Sequence, residues 1–255
     1  MERLIKIGFN VFKILFKINL WKTFYFNFKN LPFKQAIKLP FHFHGKVELE
    51  NLQGKIILDV ERVSFGMIVF GGKHEVVISS NVPTRIHNSG KIVFKGEAKF
   101  ARGINLMVWK NGSLEFGKNF SIGSLSRIIC FREIIFKNNV LISWESQFFD
   151  TDFHFINYDD IIKDNCGNLS IEDNVWIGSR VTILKNTTIP IKSIVASNAV
   201  CSGDYKTRYG QSLLLAGVPA KMIKSGVSYI MDKKYEMELF DYFNLNKNES
   251  IKCQS

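Results

Sequence analysis

Between Ile171 and Val195 an aliphatic residue recurs at every sixth position: Ile171, Ile177, Ile183, Ile189 and Val195. No helix accommodates this period, because six residues at 3.6 per turn advance about 600° and scatter the series over different faces. A strand does accommodate it. Strand side chains alternate with a period of two, so a step of six keeps the series on one face if short strands join through tight corners. The residues two before each member are Leu169, Val175, Val181, Thr187 and Ser193, mostly small or β-branched, which suits extended chain entering a crowded corner. Three such sides close a triangular coil of about 18 residues, with neighbouring coils roughly 4.8 Å apart. The series predicts a parallel β-helix with the aliphatic residues stacked inside.

Gly54-Lys55-Ile56-Ile57-Leu58 and the charge-poor run Val63 to Gly72 read as further strands whose register the sequence does not fix, and the phrase itself recurs as Ser89-Gly90-Lys91-Ile92-Val93-Phe94, Gly112-Ser113-Leu114-Glu115-Phe116, Glu133-Ile134-Ile135-Phe136 and Gly167-Asn168-Leu169-Ser170-Ile171. Apolar pairs follow the last four at matching positions: Ala98 and Phe100, Phe120 and Ile122, Val140 and Ile142, Val175 and Ile177. Phe94 to Phe116 spans 22 residues and Phe116 to Phe136 spans 20, so small bulges are expected at corners there. Phe136 to Ile171 spans 35, so a coil there is interrupted by a long excursion. Loops on a rigid scaffold usually carry function, and the excursion is where chemistry is expected.

Three stretches point to a family. Asp150-Thr151-Asp152-Phe153-His154, then Asn174-Val175-Trp176-Ile177-Gly178-Ser179, then Leu215-Ala216-Gly217-Val218-Pro219-Ala220-Lys221 occur in one order. From about residue 88 to 225 the chain resembles the hexapeptide-repeat acyltransferases, most closely the branch of maltose, galactoside and polysaccharide O-acetyltransferases. The resemblance implies a left-handed parallel β-helix, a homotrimer, and an acetyl-CoA site in the cleft between neighbouring subunits. His154 stands where the family has its catalytic histidine, and Trp176 matches a tryptophan near the reaction centre. The pantetheine arm of acetyl-CoA is then expected along Gly178, Ser179, Ala196 and Ser197, with Lys221 toward a CoA phosphate and Lys224, Lys206 and Arg208 as further cations. Corner packing explains the same small residues equally well, and subunit packing is the alternative for Trp176.

The chemistry agrees with that placement. Acyl transfer from a thioester to a hydroxyl needs a base for the hydroxyl proton and donors for the oxyanion of the tetrahedral intermediate. Imidazole suits the first task, since it titrates near neutrality. Of His42, His44, His74, His87 and His154, only His154 lies in the excursion. Asp152 lies two residues earlier, so an extended segment would put both on one face, where Asp152 would orient the histidine or bind a sugar hydroxyl. An Asx-type turn is the other reading of Asp152. Asp150 is a weaker candidate for the same roles. A main-chain amide at Gly178 or its neighbour is the expected oxyanion donor. Cys130 lies six before Phe136 and Cys201 six after Val195, so both are expected inside the coil as small hydrophobes rather than as nucleophiles. Cys166 and Cys253 complete the set, and no zinc spacing is present, so no metal is expected. Carbonic anhydrases that share this coil need three histidines on adjoining turns, which the clear coils here lack.

Residues 1–46 hold nine Lys and Arg against one acidic residue, and therefore +8 of the +11 net charge. Leu4, Ile7, Val11, Ile14, Leu15 and Ile18 follow helical spacing, with Lys6, Asn10, Lys13 and Lys17 opposite. This predicts an amphipathic helix, either packed on the coil's end, whose open strand edges need a cover, or resting in an anionic membrane interface. No apolar run reaches the roughly 20 residues of a membrane span, and no uninterrupted hydrophobic region marks a cleavable signal. Unpaired cysteines without a secretory signal suggest a reducing cytoplasm, with the inner membrane face as the place of any lipid contact. Nucleic acid is discounted, since the aromatics follow a helical stripe and no arginine- or glycine-rich motif accompanies them.

The expected organisation is a basic amphipathic segment at 1–45, an all-β left-handed β-helix at 46–225, and a helical tail at 226–255 with its helix within Ser228 to Phe243. The expected activity is acetyl-CoA-dependent O-acetylation of a sugar hydroxyl in a surface polysaccharide or its lipid-linked precursor. Alternatives are N-acetylation of an amino sugar and a non-catalytic β-helix scaffold.

Overall fold

A computed structural model describes residues 18–72, 81–246 and 250–252. Short strands wind into a left-handed parallel β-helix with three faces, bearing out the fold expected from the six-residue series. The first face has nine strands, opening with Phe41–Phe43, Ile68–Phe70 and Ala98–Phe100 and closing with the antiparallel pair Leu213–Gly217 and Ala220–Ser225. The second face has seven, from Val47–Leu52 to Val200–Cys201, and the third has six, from Lys55–Leu58 to Thr187–Ile189. Coiling therefore begins at Phe41 and ends at Ser225.

The register follows the repeated phrases. Ile92 pairs with Leu114, Leu114 with Ile134 and Ile134 with Leu169, while Phe94, Phe116, Phe136 and Ile171 form the parallel row beside them. Each row continues as a column of side chains in the lumen. Phe94, Phe116 and Phe136 stack at 5.1 and 5.5 Å between centroids, and Phe43, Phe70 and Phe100 at 5.4 and 4.2 Å. Beyond Phe148 the lumen is aliphatic: Ile171, Ile177, Ile183, Ile189 and Val195 are all fully buried. The turns from Phe94 to Phe116 and from Phe116 to Phe136 take 22 and 20 residues, and the aliphatic turn from Ile171 to Ile189 takes 18.

Corners take a left-handed backbone. Asn174, Arg180, Asn186, Lys192 and Asn198, six residues apart, have φ between 57° and 63°. Asparagine tolerates this conformation best among residues with a Cβ. Along one corner its amides also join successive coils, Asn119 donating to Asn139 at 2.9 Å and Asn139 to Asn174 at 2.8 Å. Cys130 and Cys201 lie in the core as expected, and burial pushes both thiols up, Cys201 to about 12.

Both ends are covered. Tyr205, on the short helix Tyr205–Tyr209, is buried at the far end and donates its hydroxyl to the Ala220 carbonyl at 3.1 Å. At the near end sits the helix Leu20–Asn30, with Phe26 packed 5.0 Å from both Phe41 and Phe43. Its inward face is otherwise polar, because it must satisfy the open edge of the first strand. Asn27 donates to the Phe41 carbonyl at 2.8 Å and accepts the Phe41 N–H at 3.1 Å, and Thr23 accepts the Phe43 N–H at 3.2 Å. The amphipathic helix expected over Leu4 to Ile18 lies outside the described residues except for Ile18, which is buried beside this cap. The carboxy-terminal helix runs Lys233–Leu245, starting later than composition suggested because Asp232 accepts the N–H groups of Lys234 and Tyr235 as its N-cap.

Replacing Asn27 by Leu leaves the N–H and C=O of Phe41 buried and unpaired. The expected cost is about 1–3 kcal/mol, read as a lower denaturant midpoint.

Candidate active site

The excursion starts where the second face ends, at Gln147–Phe149, and returns to the third face at Leu169–Ile171. Its base is tied down. Asp150 is fully buried, and its carboxylate accepts the N–H groups of Phe131 and Arg132, both at 2.7 Å, from the preceding coil. Burial raises its pKa, and those two N–H bonds act in the opposite direction. Thr151 bridges Cys166 across the neck, and Asp152 N–H donates to the Asn165 carbonyl at 2.8 Å. Lys185 approaches from the next coil to within 2.6 Å of the Asp152 carboxylate and donates to the Asp164 carbonyl at 3.0 Å. Arg132 pairs with Asp164 from the other side.

His154 follows this clamp and is exposed. The segment before it is not extended: Phe153 has φ 61° and the His154 N–H donates to the Asp152 carbonyl at 2.7 Å, a tight three-residue turn. The shared face expected for Asp152 and His154 is therefore replaced by a turn that aims Asp152 at Lys185. Farther out, Asn157–Tyr158 and Ile161–Ile162 form a small antiparallel hairpin exposing Phe155, Tyr158, Ile161 and Ile162.

The residues expected to meet acetyl-CoA lie together on a different corner, between the first and second faces. Ser143, Gly178 and Ala196 occupy successive rungs there: Ser143 N–H donates to Ile177, Gly178 N–H to Val195 and Ala196 N–H to Leu215, each at 2.8 Å. Ala216 follows, and its antiparallel partner is Lys221. Ser179 donates its N–H to the Ser197 hydroxyl at 3.1 Å. A Cβ on Gly178 would lie 2.7 Å from Ser197 N, so glycine is required by the approach of the next coil. The strip is thus a contiguous run of small side chains that ends at an exposed lysine.

One expectation changes here. The Gly178 N–H is consumed by the coil's own ladder and is not an available oxyanion donor. The Ser179 N–H, held only by a partly exposed serine hydroxyl, is the neighbour that remains. Trp176 stands beside the strip, half-exposed, with its indole N–H 3.4 Å from the Ser143 hydroxyl. It also walls a cavity of about 950 Å³ between the first face and the carboxy-terminal helix, with Leu141, Ile194, Tyr229, Leu239 and Phe240.

Within one chain, then, His154 and the strip are not brought together. They leave corners one side of the coil apart, on the order of 15–20 Å for six residues. The sequence reading did not single out Lys185 or Arg132. The coil register contains a signal for the first, since Phe148 pairs with Ile183 and so places residue 185 one coil beyond Asp150.

The β-helix and the three motifs on it bear out the resemblance to the hexapeptide-repeat acetyltransferases. The chain is 26% identical over 202 residues to an uncharacterized 24.8 kDa protein in the cps region of Klebsiella pneumoniae, covering 79% of this chain and 86% of that one. It is 27% identical over 154 residues to the putative lipopolysaccharide biosynthesis O-acetyl transferase WbbJ of Escherichia coli K12, covering 56% of this chain and 76% of that relative. Among solved structures, the hexapeptide-repeat containing acetyltransferase VCA0836 of Vibrio cholerae is similar at 25% identity and a TM-score of 0.41, over 50% of this chain and 70% of that one. No protein-family model matches the chain.

Changing Asp150 to Ala removes both acceptors from Phe131 and Arg132. Amide exchange at these two residues should accelerate about ten- to a hundredfold, as expected for amides that lose their acceptor.

Proposed function

We propose that the protein transfers an acetyl group from acetyl-CoA to a sugar hydroxyl during the assembly of a surface polysaccharide. The observation that carries this reading is the pair of complementary half-sites: a clamped excursion presenting an exposed histidine, and a strip of small residues ending at a lysine. The likeness to a lipopolysaccharide O-acetyl transferase and to a protein of the cps region supports the acceptor class.

Each half is incomplete alone, so the working site lies between copies of the chain, in a homotrimer. The excursion of one copy meets the strip of the next, which adds a reason for the apolar hairpin beyond His154. CoA lies along Gly178, Ser179, Ala196 and Ser197, with its phosphates toward Lys221. His154 accepts the proton of the acceptor hydroxyl as that oxygen attacks the thioester carbonyl. The Ser179 N–H, released from Ser197, donates to the oxyanion of the tetrahedral intermediate. Collapse breaks the carbon–sulfur bond, and the departing thiolate takes the proton back from the imidazolium, leaving an acetyl ester and free CoA. Asp152 and Lys185 position the histidine turn, Asp150 anchors its base, and Trp176 flanks the acceptor.

His154→Ala should lower acceptor-dependent CoA release by at least about 100-fold while acetyl-CoA still binds. Failure to bind acetyl-CoA in the native protein overturns the reading. A second experiment tests the junction. Chains carrying His154→Ala and chains carrying Ser179→Trp should each be inactive, and a mixed assembly should recover about a quarter of native activity, because one junction in four pairs two native halves. No recovery would place both halves in one chain.

A further inference from the structure

The cap helix Leu20–Asn30 is inside out. Thr23, Phe26 and Asn27 are its buried inward face, where Thr23 and Asn27 serve the open strand edge, and half-buried Asn30 donates to the Phe26 carbonyl of its own helix. Trp21, Phe24, Tyr25 and Phe28 recur at helical spacing on the opposite face and are exposed, Trp21 by 75%. Phe24 and Phe28 stack at 6.4 Å, and Phe33, exposed by 71%, extends the ridge 6.1 Å beyond Phe28. Leu20 and Ile37 add to it. An aromatic ridge of this size facing water marks a surface that meets a partner.

The charge around the ridge selects the partner. Residues 18–46 contain Lys22, Lys29, Lys34, Lys38 and Lys46 and no acidic residue, and Lys29, Lys34 and Lys38 are exposed. A partner must therefore be apolar just below its surface and negative at it. A second copy of this cap is apolar but carries the same positive rim, so face-to-face pairing brings like charges together. Nucleic acid is negative but offers no apolar layer. An anionic bilayer has both properties: tryptophan and tyrosine settle at its headgroup level, and basic helices lie in its plane with their apolar face immersed.

We infer that the outward face of the cap helix, Trp21, Phe24, Tyr25, Phe28 and Phe33 with their lysine rim, docks the protein on an anionic lipid surface. The inference does not depend on acyl transfer. No helix among the described residues is long and apolar enough to cross a membrane.

The test is co-sedimentation of the full chain with phosphatidylcholine vesicles, with and without phosphatidylglycerol. The native protein should bind the phosphatidylglycerol vesicles and not the neutral ones. Trp21→Ser with Phe28→Ser should weaken that binding at least about tenfold, given the aromatic area lost. Lys34→Glu with Lys38→Glu, which keeps every ring, should weaken it as well. Both variants keep the inward contacts, so their circular dichroism and their CoA release with a soluble acceptor should match the native protein. Three results would overturn the inference: no binding of native protein, equal binding to neutral vesicles, or ring variants that bind like native protein. A fourth is dissociation of a native oligomer by the ring variant without lipid, which would make the ridge a subunit interface.

Discussion

Three faces can close on one another only if the chain turns sharply about every six residues, and each such corner in the regular coils is made by a residue with φ near 60°. For a residue with a Cβ this conformation carries a penalty, so the corners must be held from elsewhere. Two forces hold them. Backbone N–H groups donate to the following coil on every side, and the lumen columns pull the three faces inward through packed phenylalanine and isoleucine. Neither acts alone: the ladder needs the register that the columns impose, and the columns need coils stacked at ladder spacing. Every functional feature of the molecule hangs on corners defined in this way.

The regular half of the coil was legible because its period is an integer. Ile171 to Val195 could be read as one lumen column without knowing any contact, and the repeated phrases carried the register back to Phe94. Legibility failed where geometry departs from the repeat. The turn opening at Phe41 could not be counted, since 27 residues separate Phe41 from its partner Ile68. The cap helix misleads a pattern reading, because its apolar stripe faces outward while Asn27 and Thr23 face in. An edge strand's demand for hydrogen-bond partners overrode the usual rule, and that demand is invisible until the edge is seen.

At the site, residue types were easier to read than bond partners. His154 was singled out by its place in the excursion and by the resemblance, Trp176 and the strip from Gly178 to Ser197 by the resemblance. That the Gly178 amide already has an acceptor, that Asp150 serves the coil beneath it, and that Asp152 answers to Lys185 are facts of stacking between turns 18 to 35 residues apart. The same stacking separates the excursion and the strip of small residues onto different corners. A solenoid has no interior cleft to offer a substrate, so reaction chemistry on it has to be assembled from its outside edges.

The solenoid also works as a ruler. Its rise of about 4.8 Å per turn is fixed by main-chain hydrogen bonding and hardly varies with sequence. The cap covers the first turn and the histidine excursion leaves the fifth, four rises away, a height of about 19 Å. The buried neck of the excursion, at Asp150, therefore stands that far along the axis from the cap. The number of turns between cap and excursion sets that separation, in steps of one rise, without altering a single residue at either end.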